Sequence, residues 1–277
     1  MSKITEMFGI YCSSTCDLRE ALTSQICPFT EKKCIKTRKS NPNIAIGTCS
    51  VKYQDKDIII CPFRLLEKKQ IFLDCIHLLT LHEPGNELYV IPEVNLPGGN
   101  VDYFLVSAKD AKVKDFVGIE LQTMDTTGTV WPERQRLLHS YGFETIKEDI
   151  ENVRSFGMNW KMTAKTILIQ MHHKAKTFEI LNKHLVLIIQ EPFFKYMNKE
   201  FNFSHIQSAK LGDCVHFHSY DFIFFENKMK LDLTNRVSTD TDGIGKCLGL
   251  KAESNIELET IMRILESKLS EKYRLSL

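Results

Sequence analysis

The sequence predicts a mixed α/β protein with a small cysteine-held N-terminal module, and three observations carry that expectation. Its 277 residues are 43% hydrophobic and 26% charged, the balance of a folded chain long enough to bury a sizeable core. Apolar periodicity changes from helical to strand-like and back through the middle of the chain. Seven of the nine cysteines (Cys12, Cys16, Cys27, Cys34, Cys49, Cys61 and Cys75) fall in the first 75 positions. No internal repeat or low-complexity linker divides the rest. The expected organisation is an N-terminal segment, residues 1–63, carrying the cysteine module, and a single body, residues 64–277, ending in further strands and a helix.

Asp17 to Gln25 suits a short helix, and Cys27 to Cys61 is loop-rich, with a turn at Asn41-Pro42-Asn43. From Leu65 to Leu79 the apolar residues Leu65, Leu66, Ile71, Phe72, Cys75, Ile76 and Leu79 recur near the helical period, which predicts one helix with one buried face. Glu83-Pro84-Gly85-Asn86 breaks the chain before a strand from Leu88 to Val94. Pro97-Gly98-Gly99-Asn100 then turns it into the strand Val101–Val106, and Phe116-Val117-Gly118-Ile119 begins a third. After a long connection containing Trp131-Pro132, a helix is expected from about Lys161 to Asn182, leading into the wholly apolar strand Leu185–Ile189. The order is helix, three strands, helix, strand. Downstream, Cys214 to His218, Phe222 to Phe225 and Met229 to Leu233 read as short strands. A closing helix is signalled by Ser254 and Glu257 at capping-box spacing and by the stripe Ile256, Ile261, Leu265 and Leu269, which suits a core role or a dimer face.

Leu185–Ile189 is the longest apolar run, too short to span a bilayer, and Met1 to Glu6 lacks a leader pattern, so a cytoplasmic location is expected. Net charge is only +1, so affinity for nucleic acid must come from local patches. One patch is Lys32-Lys33-Cys34-Ile35-Lys36-Thr37-Arg38-Lys39. The other runs from Trp160 to Lys176 with Lys161, Lys165, His172, His173, Lys174 and Lys176 and no acidic residue. Both also suit plain solvated faces.

Thiols crowded together in a reducing compartment point to metal. Cys27-Pro28-Phe29 and Cys61-Pro62-Phe63 repeat a tripeptide, with Cys34 and Cys49 between them, and four such thiolates would close a tetrahedral zinc or iron site. The spacing departs from paired C-x2-C knuckles, and scattered buried thiols are the other reading. Cys16 is the first substitute ligand, while Cys75, Cys214 and Cys247 read as packing residues.

Two carboxylates stand in apolar strands: Asp102 in Val101–Val106 and Glu120 at the end of Phe116–Ile119. Buried acids need a cation or a hydrogen-bond network, and on a strand Glu120 and Gln122 share a face, so a divalent metal site is the expectation. Glu93 is a candidate third carboxylate at a strand end. An ion-pair network with Lys109, Lys112 and Lys114 is the alternative. His216 and His218 share a strand face but read as core or surface histidines.

Five stretches together resemble the NotI-type restriction endonucleases of the PD-(D/E)xK nuclease superfamily. They are Cys27-Pro28-Phe29-Thr30, Asn43-Ile44-Ala45-Ile46-Gly47-Thr48-Cys49-Ser50, Gly98-Gly99-Asn100-Val101-Asp102-Tyr103, Gly118-Ile119-Glu120-Leu121-Gln122-Thr123 and Asn159-Trp160-Lys161-Met162. The likeness implies a restriction-endonuclease-like core with a central mixed sheet flanked by helices. It implies a type II enzyme that hydrolyses double-stranded DNA at a palindrome with magnesium, leaving 5'-phosphate and 3'-hydroxyl ends. Iron in the four-cysteine site, a homodimer and a cognate DNA methyltransferase are further implications. By position, Asp102 and Glu120 match the two acidic magnesium ligands, and Gln122 stands where most of the superfamily has lysine, a substitution that the NotI-type enzymes share. An amide does not titrate near neutrality, so Gln122 is expected to orient a water or a phosphate oxygen. Lys36, Arg38, Lys39, Lys161 and Lys165 are the expected DNA contacts, the lysines to phosphate and Arg38 with the fork that suits guanine. A metal-stabilised DNA-binding regulator that does not cut, with Asp102 and Glu120 structural, is the alternative class.

Overall fold

A computed structural model gives the architecture and describes residues 2–12, 17–96, 98–226, 228–250 and 262–263. Cys16 and, apart from residues 262–263, the expected closing helix lie outside these residues. The N-terminal segment forms a four-stranded antiparallel sheet of β1 (Ile4–Met7), β2 (Ile10–Tyr11), β3 (Thr48–Tyr53) and β4 (Lys56–Ile59), in the order β2-β1-β3-β4. Between β2 and β3 lie a helix, Arg19–Ser24, and two small ribbons, Ile26–Cys27 with Lys32–Lys33 and Thr37–Arg38 with Asn41–Ala45.

A seven-stranded mixed sheet is built from β5 (Glu87–Leu96), β6 (Gly99–Lys109), β7 (Lys112–Gln122), β8 (His184–Gln190), β9 (Gln207–Ser208), β10 (Val215–Phe225) and β11 (Lys228–Thr239). Their order is β9-β11-β10-β8-β7-β6-β5. Adjacent strands from β5 to β7 are antiparallel, β8 runs parallel to β7, β10 runs parallel to β8, and β11 returns antiparallel. Helices α1 (Trp131–Ser140) and α2 (Trp160–Ile180) cross from β7 to β8, α3 (Glu191–Glu200) follows β8, and α4 (Thr241–Cys247) follows β11. Every residue of β8 is buried, as its unbroken apolar run requires of a central parallel strand covered on both faces.

Alternation along β8 sorts the core into two layers. Leu185, Leu187 and Ile189 join Phe104, Ile167, Met171 and Phe178 on the α2 side, in one cluster with Ile4, Met7 and Val51 of the N-terminal sheet. Val186 and Ile188 join Leu65, Ile71, Phe72 and Leu78 on the other side. Gln190 stitches the two sheets together: its side chain accepts from the Ile59 amide at 2.8 Å and donates to the Asp57 carbonyl at 2.7 Å.

Three expectations are corrected. Leu65 to Leu79 is not one helix but a 3-10 run, Pro62–Lys69, a single turn, Gln70–Leu73, and a second 3-10 turn, Ile76–Leu78. Glu67 is extended and Lys68 and Lys69 are left-handed, because the Glu67 carboxylate reaches back to Arg64 (3.0 Å) and across to the Leu231 amide (2.9 Å). Trp131-Pro132 opens a helix, with Pro132 in the first turn where its missing N–H costs nothing. The three short downstream strands are two long ones, with a bulge between Ser219 and Tyr220.

Candidate active site

β6 and β7 set the two acids face to face. Tyr103 pairs with Ile119 and Phe104 with Gly118, so the next antiparallel step opposes Asp102 to Glu120. Asp102 accepts from the Leu121 amide at 2.8 Å. Burial raises the pKa of Asp102, with the nearby Glu93 charge adding, against the Leu121 hydrogen bond and Lys174. Glu120 is only 4% exposed, and burial pushes its carboxyl up to about 7 despite the opposing pull of Lys174, with Asp102 raising it further.

The partner of Glu120 comes from the helix above. Lys174 Nζ of α2 donates to Glu120 Oε1 at 2.6 Å, both side chains being buried. Lys109 and Lys112 stand opposite each other in the strand register at the far end of the β6–β7 hairpin, so the alternative network of Glu120 with these lysines does not form there. Gln122 shares the face of Glu120, but its amide nitrogen donates to the Thr123 carbonyl at 2.6 Å. Glu93 is not at a strand end; it lies within β5 at φ 51°, exposed, between the pairs Pro92–Tyr103 and Val94–Val101 that flank Asp102. Asp102, Glu120, Gln122 and Lys174 line one open cavity of about 380 Å³ with Asn100, Gln170 and His173.

That geometry fits a hard divalent cation. Two opposed carboxylates with raised pKa hold negative charge at a cost, and magnesium usually takes one or two protein carboxylates while keeping several waters. A model of the family described as restriction endonuclease NotI matches residues 16–223. The chain belongs to the NotI restriction endonuclease family. None of the curated proteins matches it. As a NotI-family enzyme the protein is a site-specific deoxyribonuclease that acts on double-stranded DNA. The matched region holds the cysteine segment from residue 16 on and all of β5 to β8, and it ends inside β10.

In this NotI-family chain Cys27, Cys34, Cys49 and Cys61 line a single cavity of about 390 Å³ with Phe29 and Lys36. They do not close the expected tetrahedral centre. Among the described residues no group of three or more His, Cys, Asp or Glu side chains is arranged to hold a metal ion. Cys49 Sγ donates instead to the Gly47 carbonyl at 3.6 Å, and burial pushes the Cys49 and Cys61 thiols up.

The basic residues divide. Lys39, Lys161 and Lys165 are exposed. Lys36 donates to the Ile60 carbonyl at 2.6 Å, and Arg38 pairs with Asp149 at 3.1 Å while its guanidinium stacks 4.4 Å from the Trp131 ring. Both are already engaged, so a DNA contact by Arg38 requires exchange of its Asp149 partner. Lys174, one residue of the basic run from Trp160 to Lys176, is buried. Its signal was helical phase: Ile167, Met171, Lys174 and Phe178 recur at four, three and four residues on the buried face of α2.

Proposed function

We propose that the protein hydrolyses both strands of double-stranded DNA at a palindromic site with magnesium, leaving 5'-phosphate and 3'-hydroxyl ends. The observation that carries this reading is the opposition of Asp102 and Glu120 across adjacent strands in one open cavity. Magnesium bound there would polarise the scissile phosphate and acidify a water. Asp102, anchored by the Leu121 amide, holds its carboxylate toward the cation site. Glu120 supplies the second ligand and exchanges its Lys174 contact to do so. Gln122, neutral at every working pH, orients a water or phosphate oxygen after leaving the Thr123 carbonyl.

A palindrome calls for a two-fold homodimer, one subunit per strand. The outer edge of β5, where Leu88, Tyr89, Val90 and Ile91 are each about 40% exposed, favours a contact between copies. A structural iron or zinc centre in the N-terminal module, residues 1–63, belongs to the same reading and requires Cys27, Cys34, Cys49 and Cys61, which line one cavity without closing a metal site, to draw together around the ion. Lys39, Lys161 and Lys165 then contact phosphates, and a cognate methyltransferase protects the same site in the host.

The test is incubation with mixed-sequence plasmid DNA, with magnesium and with chelator, sequencing of the cut ends, and light scattering for the mass. Discrete magnesium-dependent fragments sharing one palindrome, cut by a dimer and lost in Asp102→Ala and Glu120→Ala while DNA binding persists, are expected. DNA retention without cleavage would assign the chain to the non-cutting class, and a diffuse smear would refute the fixed palindrome.

A further inference from the structure

Two carboxylates in one cavity leave a charge to be met when DNA arrives. Asp102, Glu120 and a scissile phosphodiester each bring a negative charge, and a single divalent cation offsets two of the three. An ammonium is already in place: Lys174 Nζ lies 2.6 Å from Glu120 Oε1, and the side chains are only 7% and 5% exposed. Its neighbours on α2, Lys161, Lys165 and Lys176, all point to solvent. The turn before β6 is shaped around it. A Cβ on Gly99 would come within 3.3 Å of Lys174 Cε, and one on Gly98 within 2.7 Å of the His173 carbonyl. A purely structural role explains this poorly, since a buried ion pair adds little stability that an apolar pair of the same volume would not. Gln122 brings no charge.

We propose that Lys174 is a further catalytic residue of DNA cleavage: its ammonium, paired with Glu120 in the free protein, contacts a non-bridging oxygen of the scissile phosphate once DNA and the cation are in place. The inference rests on the nuclease reading above. No bond and no proton passes through Lys174. Its part is to oppose the negative charge that grows on the phosphate oxygens in the transition state, from a side chain that the protein itself holds buried at the cavity wall.

The experiment compares wild type with Lys174→Met, Lys174→Gln and Lys174→Arg, after the wild-type cut ends have located the scissile phosphate. Single-turnover cleavage is expected to fall about 100-fold or more in the neutral variants, with Lys174→Arg between. Affinity is then measured with calcium replacing magnesium, on duplexes carrying a phosphodiester or an uncharged methylphosphonate at the cut. The methylphosphonate should weaken wild type several-fold more than Lys174→Met or Lys174→Gln, a coupling that only contact with that phosphate produces. Equal weakening in all proteins, or cleavage by the neutral variants within about threefold of wild type, would overturn the proposal. Lys174→Gln, which can still donate to Glu120, serves if Lys174→Met does not fold. No cleavage by wild type would sink the nuclease reading itself, and this inference with it.

Discussion

Gly98 shows how single residues set the geometry of the cavity. Its φ of +99° and the 2.7 Å separation between a built Cβ and the His173 carbonyl let the turn before β6 pass directly under α2, one residue from Lys174. Gly98→Ala must both strain the backbone and push α2 away, so it should lower stability by about 1–3 kcal/mol and slow cleavage. Gly85→Ala is the control, since Gly85 has a similar φ of +90° but nothing within 4 Å of its Cβ position. Urea unfolding of both variants checks this; equal losses, with cleavage unchanged in each, would mean that the contact with α2 carries no weight. At this scale the acids were legible, because a charged side chain in an otherwise apolar strand needs a reason. Lys174 was not, because neighbouring lysines on the exposed face hid its phase. Glu93 is not a strand end because its strand runs on to Leu96, past the last apolar residue of the Leu88–Val94 pattern, and its left-handed φ leaves no mark in that pattern.

Elements show where periodicity misleads. The apolar spacing from Leu65 to Leu79 correctly marks a buried segment, and Leu65, Ile71 and Cys75 are fully buried, but the segment bends at Glu67. Arg64 decides that bend. It is 1% exposed, bonds Glu6 at 2.7 Å, Glu67 at 3.0 Å and the Met229 carbonyl at 2.6 Å, and lies between the Phe29 and Phe222 rings. None of those partners is near it in sequence except Glu67, so no local pattern could announce the break. Phe29 also lines the cysteine cavity, which ties the N-terminal module to this side of the sheet. Thiols bind metal as thiolates, and burial that holds Cys49 and Cys61 protonated means that a centre there must release protons as it forms. The proposed centre predicts one iron or zinc per chain in elemental analysis of the purified protein, lost in Cys27→Ser and Cys61→Ser together with much of the thermal stability. Folded, active protein without either metal would refute the four-cysteine centre.

Across the whole molecule, the sheet face away from α2 carries a layer of histidine inside the core. His216 and His218 are fully buried on β10, and each has one ring nitrogen without a hydrogen-bond partner. His218 meets Cys75 Sγ at 3.7 Å and stacks on His77, while Arg236 adds positive charge; His216 lies 3.1 Å from His184 and 2.9 Å from the Asp213 carbonyl. Burial lowers His216 to about 4 and His218 to about 3, from an ordinary 6.5. Between those values and 6.5 the unfolded chain binds protons that the folded chain refuses, so stability is full above pH 6.5 and drains as pH falls. Glu120, raised to about 7, works in the opposite sense over part of the same range, so the wild-type slope alone is not diagnostic. A comparison with His218→Leu isolates one histidine. Between about pH 6 and pH 4 the wild type should lose about 1.4 kcal/mol per pH unit relative to the variant, read from urea midpoints. A constant difference across that range would mean that His218 already carries its proton in the folded protein, and that the Cys75 and His77 contacts accommodate an imidazolium rather than a neutral ring.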